Sequence, residues 1–540
     1  MSGLRSPLSM VLDGAAAFPD RDVLTFVDVR PDGTLAEEVR TYAGLLAHGR
    51  ILAGALKAAG MQEGDAFALV MRNHPEFVEA MLASEMAGTV FVPIDPRTRG
   101  DKLAFMLRFA DCRGAIVTPD VVGELAPLLP RLPHLRWVWV LGAAGSDGVF
   151  APLPDVLARA QPWADPQPRP LTDPMQMLYT SGTTGDPKAI LAPYARFAGV
   201  AALGPVIGLT PDDRPYTGLS LTHANAQLIT LGNALSMGLR LVISRQFTKS
   251  RLWPILHRYG CTMFNLLGGM ATAIFAEPPA AHDRGHKVRY VLSAGMPAAM
   301  WRDFETRFAL RVFEFYGAAE GGLTLNPPDA GPVGSIGKPP PGSICAILDD
   351  DGTELPPGGQ GEICFRNGDG SVAPVAYFCN PDASAAKTRG GWFHTGDVGF
   401  KDADGWVYFC YRAGDSIRRN GDFINAVEIE AAVAGMPEVA DVHVYGVATE
   451  ANAPGEKEVV VALVPQPGCE FDPARVFSHC AAALGSTSIP SYVQLVAEIP
   501  KTASEKPQAR HLVALLGAED AVIFNKEGPC TVAVNGRMSK

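Results

Sequence analysis

Residues 178–188 read LYTSGTTGDPK, and this stretch decides what fold the rest of the 540-residue chain is expected to adopt. It follows a short apolar run, residues 175–179, which predicts a buried strand. The glycines let backbone N–H groups approach a ligand closely, while the hydroxyls and one lysine add donors and positive charge. This composition is typical of a phosphate-binding loop. It is not a Walker loop, because two residues separate Gly182 from Gly185 and no Gly-Lys-Ser/Thr follows.

The candidate phosphate-binding residues of this loop are Thr180, Ser181, Gly182, Thr183, Thr184, Gly185 and Lys188. The alternative is an ordinary loop between a strand and a helix, with no ligand. Motifs further along the chain favour the phosphate-binding interpretation.

Size and composition narrow the class of protein. The length predicts two or more domains, and 47% hydrophobic residues suffice for large cores. A net charge of −11 with interspersed signs disfavours nucleic acid as a partner. Nine cysteines without a C-x-x-C pair predict reduced thiols in a cytoplasmic protein. No apolar run reaches the length of a membrane span, so none is expected.

The order of the elements predicts an α/β fold. Apolar runs of strand length alternate with helical patterns through residues 42–141, and Pro75 and Gly88 suit the two ends of one helix. We expect a large domain, residues 1–412, of layered, mostly parallel sheets with helices. A small β subdomain is expected within it, from about residue 331. A small α+β domain, residues 413–517, and a tail, residues 518–540, complete the prediction.

The loop resembles the phosphate-binding motif Y-T-S-G-T-T-G-x-P-K of the adenylate-forming enzymes. That superfamily includes acyl-CoA synthetases, peptide-synthetase adenylation domains and luciferases. Other motifs of the family follow in the same order, so that the resemblance covers about residues 42–517. It implies that the loop binds the β- and γ-phosphates of ATP, and that Thr184 contributes to a magnesium site.

Two glycine loops follow predicted strands and resemble the adenine-binding elements of that family. In YGAAE, residues 316–320, the resemblance places Tyr316 and Gly317 beside adenine and gives Glu320 a catalytic role as ligand of Mg²⁺. In SAGMP, residues 293–297, Gly295 would let the purine pack on bare backbone. The family's threonine is replaced by Ala319, which removes one hydroxyl contact to the α-phosphate. Each loop on its own could also be a plain turn.

The segment WFHTGD, residues 392–397, resembles the ribose-binding motif W-x-x-T-G-D. A carboxylate offers two oxygens to the two donors of a cis-diol, which suits Asp397 to this role. Arg412 matches the arginine that supports the same ribose. Ordinary surface ion pairing is the alternative for both residues.

Three further elements resemble the mobile parts of the family. Gly414 occupies the position of the hinge between the domains, so that the C-terminal domain is expected to rotate. Gly421, in a motif similar to G-x-x-I-x-x-x-E-I-E, would lie close to coenzyme A. Lys506, in PKTASEK, corresponds to the catalytic lysine that contacts the acyl carboxylate and the α-phosphate. Lys501 is its neighbour in the same motif.

The acyl site is predicted less sharply. His223, in LSLTHAN, resembles a histidine that separates the acyl site from the thiol channel, and it is a further catalytic candidate. Residues 265–271, NLLGGMA, match a segment that lines the acyl pocket. This segment looks most similar to carnitine/crotonobetaine-type and bulky-acid CoA ligases. An ordinary core or surface histidine is the alternative for His223.

The resemblance implies an ATP-dependent acyl-CoA ligase. A carboxylic acid and ATP, with Mg²⁺, would give acyl-AMP and pyrophosphate, and coenzyme A would then give acyl-CoA and AMP. Two alternatives stay open: transfer of the acyl group to a carrier protein or its oxidation, and a non-catalytic nucleotide-binding relative, suggested by Ala319. The identity of the acid is not predicted, and a homodimer is left open.

Overall fold

The structure is a computed structural model, and it describes residues 3–142, 148–180, 188–318, 320–412, 417–419, 422–424, 426–448, 457–484, 489–502, 507–518 and 520–532. Its α-helices, α1 to α15 in chain order, span Pro7–Ala17, Tyr42–Ala58, Pro75–Ala87, Gly100–Phe109, Pro119–Leu125, Leu153–Arg159, Tyr194–Ala201, Gly232–Met237, Leu252–Tyr259, Gly268–Phe275, Trp301–Phe308, Pro381–Lys387, Ala426–Ala434, Ala474–Ala483 and Ala509–Leu516. A π-helix spans Asn225–Leu231.

The strands, β1 to β26 in chain order, span Asp22–Val29, Leu35–Thr41, Ala66–Val70, Val90–Ile94, Cys112–Val117, Trp137–Val140, Phe150–Pro152, Pro174–Thr180, Lys188–Pro193, Pro215–Thr217, Leu241–Ser244, Met263–Leu267, Tyr290–Ala294, Arg311–Gly317, Leu323–Asn326, Ser343–Leu348, Gly361–Asn367, Phe393–Lys401, Val407–Arg412, Ile417–Arg419, Asp422–Ile424, Val439–Val447, Glu458–Pro465, Tyr492–Leu495, Val522–Asn525 and Gly528–Pro529. The chain forms two compact units. The first unit is Met1–Asn265, His286–Arg289 and Pro374–Ala385, and the second is Leu266–Gly285, Tyr290–Ala373 and Ala386–Lys540.

Mostly parallel sheets build the first unit. One sheet has the strand order β7-β6-β5-β3-β4-β8-β9, and another run of strands has the order β12-β10-β11-β1-β2. The β1–β2 and β8–β9 pairs are antiparallel, whereas β3 and β4 lie parallel to their neighbours. Every residue of β3 and β4 is buried, as expected for parallel strands covered by helices on both faces. The predicted α/β layers are confirmed.

The two ends of helix α3 lie where the sequence predicts them. It begins at Pro75 and is followed by Gly88, as the sequence predicts. Proline suits the first helical position because its missing N–H would have no intrahelical partner there. Every residue of 77–86 is buried, so that this helix belongs to the core of the unit.

The second unit carries the small β subdomain. Strands β16, β17, β18 and β19 form an antiparallel sheet in that order. The sequence predicts the subdomain from about residue 331, and the structure extends its last strand to Arg412. The subdomain therefore carries the WFHTGD segment and the arginine that the sequence pairs with it.

The C-terminal part of the second unit is a five-stranded sheet, β22-β23-β24-β25-β26. Two groups of buried apolar residues pack on it, one including Ile429 and Phe477, the other including Leu512, Ile523 and Val532. The predicted tail, residues 518–540, includes two strands of this sheet, β25 and β26. Strand β25 pairs with β24, and the four- and two-residue lengths of β25 and β26 are too short to show a period in the sequence.

All nine cysteines are free thiols. Six of them are buried, Cys530 is half-buried, and Cys379 and Cys469 are exposed. Within the ranges given above, no helix is long and apolar enough to cross a membrane.

Candidate nucleotide-binding site

A buried carboxylate lies at the centre of the candidate site in the second unit. Asp397 on β18 and Arg412 on β19 are directly paired across the two strands. Arg412 Nε donates to Asp397 Oδ1 at 2.7 Å, and Nη2 donates to Oδ2 at 3.1 Å. Asp397 is only 2% exposed. Such a fork-shaped, charge-assisted pair fixes the orientation of both side chains.

Tyr316, at the end of β14, reaches the same carboxylate. Its hydroxyl donates to Asp397 Oδ2 at 2.6 Å, and its ring lies nearly parallel to that of Phe365, with 6.3 Å between centroids. Burial, together with the negative charge of Asp397, raises the pKa of the Tyr316 hydroxyl well above its usual value. The hydroxyl therefore stays protonated and remains a donor. Sequence reasoning assigned a role to the ring alone, and no sequence signal indicated the hydroxyl bond.

The turn before Asp397 is held by its own network. The Thr395 hydroxyl donates to the Ile363 carbonyl at 2.7 Å and accepts from the Asp397 N–H at 3.0 Å. Lys387 Nζ donates to the carbonyls of His394 and Thr395, at 3.0 and 2.9 Å. Burial lowers the pKa of Lys387. No sequence motif indicates this lysine, which lies ten residues before the aspartate.

A carboxylate beneath the motif completes this network. Glu362 Oε1 accepts from the Gly396 N–H at 2.8 Å, and Oε2 lies 2.7 Å from His394 Nδ1. Cys364 Sγ lies 3.4 Å from the same nitrogen. Glu362 thus orients the backbone on which Asp397 sits, and the structure assigns it no contact with the Asp397 side chain.

The glycine loop after β13 is anchored by a second buried carboxylate. Glu314 on β14 accepts from the N–H groups of Gly295 and Met296, the latter at 3.1 Å. Gly295 has φ +99°, a conformation that favours glycine. Burial raises the pKa of Glu314 to about 8. A sequence signal existed here: Glu314 is a charged residue with apolar residues on both sides of it in the strand.

Gly268, at the start of α10, packs against the same loop. A Cβ built on Gly268 would lie 2.4 Å from the carbonyl oxygen of Gly295. The sequence places Gly268 in a segment, residues 265–271, that is expected to line an acyl pocket. In the structure, Gly268 permits close contact between two backbones.

Gly317 and Glu320 follow Tyr316 in the second unit. Gly317 is the last residue of β14 and pairs with Leu323 of β15. Glu320 is half-buried, and its charge acts on both Lys387 and Arg412. The predicted magnesium ligand thus lies in the electrostatic environment of the Asp397 centre. Ala319 lies outside the described residues.

Two antiparallel strands of the first unit, β8 and β9, lie on either side of the predicted phosphate loop in the sequence. The backbone of Thr180 ends β8 and pairs with Lys188, which begins β9. Lys188 is exposed, and its Nζ lies 5.6 Å from the ring centroid of Tyr377. Several predicted residues lie outside the described ones: Ser181, Gly182, Thr183, Thr184, Gly185, Gly414, Gly421, Lys506 and the side chain of Thr180.

His223 also belongs to the first unit. It is half-buried, and its Nδ1 accepts from the Asn225 N–H at 3.2 Å. The π-helix begins two residues later, at Asn225.

Among the predicted site residues, the structure brings Tyr316, Asp397 and Arg412 into direct contact, whereas Gly295 is hydrogen-bonded to Glu314.

Comparisons with known proteins agree with this architecture. A family model described as AMP-binding enzyme matches residues 12–374, and one described as AMP-binding enzyme C-terminal domain matches residues 428–506. The chain is 30% identical over 508 residues to a sulfoacetate–CoA ligase of Cupriavidus necator, covering 92% of this chain and 96% of that protein. It is 28% identical over 520 residues to a crotonobetaine/carnitine–CoA ligase of Salmonella arizonae, with the same coverage.

The fold itself has counterparts among solved structures. The crystal structure of an anthranilate CoA ligase in complex with anthranoyl-AMP has a TM-score of 0.84 and 22% identity, covering 95% of this chain and 98% of that chain. This likeness extends over nearly the whole of both chains, and the first family model alone accounts for more than half of the sequence. This chain therefore belongs to the AMP-binding enzyme family.

Proposed function

We propose that the protein is an ATP-dependent acyl-CoA ligase. The carboxylate of an acid attacks the α-phosphate of ATP and displaces pyrophosphate, giving acyl-AMP. The thiol of coenzyme A then attacks the acyl carbon and displaces AMP, giving the thioester. The two relatives named above are CoA ligases, which supports the same class of reaction here.

One observation carries the proposal: the buried carboxylate of Asp397 accepts hydrogen bonds from both Arg412 and Tyr316. An ordinary surface ion pair would need neither the burial nor the bond from the tyrosine hydroxyl. A carboxylate oriented in this way can accept from both hydroxyls of a ribose. We assign the nucleoside to this centre, with adenine beside Tyr316, Gly317 and the Gly295 loop.

The resemblance to the adenylate-forming enzymes implies the remaining roles. Residues 180–188 would hold the β- and γ-phosphates, with Lys188 supplying positive charge. Glu320 and Thr184 offer the oxygen ligands that Mg²⁺ prefers, and the bound ion would neutralise phosphate charge. Lys506 would contact the reacting carboxylate and α-phosphate, His223 would border the acyl site, and Gly421 would approach coenzyme A after rotation of the C-terminal domain about Gly414.

Pyrophosphate release with a panel of acids tests the proposal. The panel spans short, aromatic, fatty and steroid-like carboxylates, each with ATP and Mg²⁺, with and without coenzyme A. We expect release that depends on the acid, and thioester when coenzyme A is present. Release without thioester, and thioester only on a purified carrier protein, would favour carrier loading. Binding of ATP without release for any acid would favour a nucleotide-binding relative.

Substitution of Lys506 separates the two half-reactions. For Lys506→Ala we expect adenylation to fall at least about 100-fold, because a cation is lost where two anions react. Thioester formation from supplied acyl-AMP should largely survive. Both steps are measured, by pyrophosphate release and by thioester assay.

Lys501→Ala is the matched control for that experiment. Lys501 Nζ is engaged with Asp441 Oδ2 at 2.5 Å, so that its loss should leave both half-reactions near wild type. An equal loss of both steps in Lys506→Ala would refute the assigned role.

A further inference from the structure

Four uncharged amide side chains form a buried group in the first unit, which we call the amide cluster: Gln176, Asn225, Gln227 and Asn265. Each is at most 5% exposed. The Gln176 amide donates to Gln227 Oε1 at 2.6 Å, and the Asn265 amide donates to Asn225 Oδ1 at 2.5 Å. The cluster is therefore two hydrogen-bonded pairs of amides, and each pair has one member in the π-helix.

The amide cluster leaves several polar atoms without partners. Among the residues described, Asn225 Nδ2, Asn265 Oδ1 and Gln176 Oε1 have no hydrogen-bond partner. A buried donor or acceptor without a partner is unfavourable and uncommon, and a ligand or water absent from the structure is one explanation for it.

The position of the cluster favours a ligand. Strands β10 and β12 run parallel, with Tyr216 beside Phe264, so that Asn265 lies just beyond this pair toward the carboxyl ends of both strands. Ligands of open α/β sheets bind at such ends. From β10 the chain continues through His223 to Asn225, the first residue of the π-helix. Short π-helical segments are frequent at functional sites.

The sequence predicts that the segment around His223 and residues 265–271 both belong to the acyl site. One hydrogen bond joins these two segments. His223 lies two residues before Asn225, and residues 265–271 begin with Asn265. The Asn265–Asn225 bond joins them, and the orphaned donor and acceptor belong to the same two side chains. Both orphaned atoms are buried.

We propose that Asn225 and Asn265 contact the chain of the acid and select an acid that carries an uncharged hydrogen-bonding group, a hydroxyl or a carbonyl. This inference rests on the proposed function, since it names the substrate class of the same enzyme. A hydroxyl both donates and accepts, which matches one orphaned acceptor and one orphaned donor. The amide cluster contains no charged residue, so it offers no counter-charge to an ionised group in the interior.

The test compares matched acids on the wild-type enzyme. Pyrophosphate release is measured with hexanoate against its 3-, 4-, 5- and 6-hydroxy and oxo derivatives, and with benzoate against 3- and 4-hydroxybenzoate. We expect kcat/KM for at least one polar member to exceed that of its plain parent about 10- to 100-fold, because the plain acid leaves the amides unpaired. Plain parents preferred throughout, or a preference for diacids, would overturn the inference while leaving the proposed function intact. No release with any acid would overturn the proposed function itself.

Variants assign the preference to these side chains. Asn225→Leu and Asn265→Leu should reduce the ratio of kcat/KM between polar and plain acids toward one. Asn233→Leu is the control, because the buried Asn233 amide donates to the carbonyls of Val200 and Ile229, and its loss should leave the ratio unchanged. A ratio unaffected in both test variants would contradict the assignment, and if either variant fails to fold, the wild-type comparison still decides the substrate class.

Discussion

At the scale of single residues, the Asp397 carboxylate is the best-defined group of the candidate site. Arg412 and Tyr316 hold both of its oxygens, and the Thr395 hydroxyl holds its backbone. Each of these bonds comes from a different part of the chain. The carboxylate is therefore oriented before any nucleotide arrives, so that little ordering cost remains for binding.

Replacing this carboxylate should weaken the use of ATP. For Asp397→Asn we expect kcat/KM for ATP to fall about 100-fold, since hydrogen bonds that involve a charged group contribute about 1.5–3 kcal/mol. Initial rates over a range of ATP concentrations measure the change. Asp369→Asn, in an exposed turn of the same unit, is the control. An Asp397→Asn enzyme with wild-type kcat/KM would exclude the ribose role.

The buried carboxyl of Glu314 should make the free energy of unfolding depend on pH. Burial raises the pKa of its carboxyl from 4.5 to about 8, so folding favours the neutral form. The stability that this contributes is fully present below pH 4.5 and is lost as the pH rises through about 8. In Glu314→Gln, the free energy of unfolding should vary less between pH 5 and 8, by on the order of a few kcal/mol. Urea unfolding at several pH values checks this, and an unchanged slope would argue against a titrating Glu314.

At the scale of elements, the sequence predicts positions better than it predicts contacts. Helix α3 and strand β4 begin and end where proline, glycine and apolar runs place them. Those signals are local, so one sequence suffices to read them. The bond from the Tyr316 hydroxyl to Asp397 spans 81 residues and depends on how two sheets pack, which no local pattern encodes. Lys387 has no motif around it, whereas Glu314 had a local signal, a charged residue among the apolar residues of a strand.

The contact between α10 and the glycine loop makes a prediction at this scale. Gly268→Ala would place a methyl group 2.4 Å from the Gly295 carbonyl oxygen, so the loop must move. We expect a loss of about 1–3 kcal/mol in the free energy of unfolding and a higher KM for ATP. Chemical denaturation and steady-state kinetics measure the two effects.

Helix α5 provides the matched glycine for that comparison. A Cβ on Gly123 would meet nothing within 4 Å, so Gly123→Ala should stabilise the protein by about 0.5–1 kcal/mol without changing kinetics. If Gly268→Ala behaved like Gly123→Ala, the close approach of the two backbones would not hold in solution.

At the scale of the whole molecule, the C-terminal sheet contains its own core. Both groups of buried apolar residues on the sheet lie within residues 417–532. The boundary predicted at 412–413 precedes this core, and the division of the chain into 1–412 and 413–517 stays a prediction. The predicted end at 517 would remove β25 and β26 from the sheet.

Two fragments test where this domain ends. We expect residues 417–532 to fold cooperatively on their own, and residues 417–517 to be less stable by about 3–6 kcal/mol, since buried Ile523 and Val532 are lost. Thermal and urea unfolding followed by circular dichroism compare the two. Equal stability of both fragments would show that the last strands contribute nothing.

The distribution of thiols provides a test of the proposed domain rotation that needs no engineered cysteine. Cys379 and Cys469 are the exposed cysteines, and they belong to the first unit and to the C-terminal sheet region respectively. Burial raises the pKa of Cys530, so less of it is in the reactive thiolate form. A fluorophore pair attached by maleimide chemistry would therefore settle mainly on these two natural sites. If the C-terminal domain rotates as proposed, energy transfer between the two fluorophores should change during turnover.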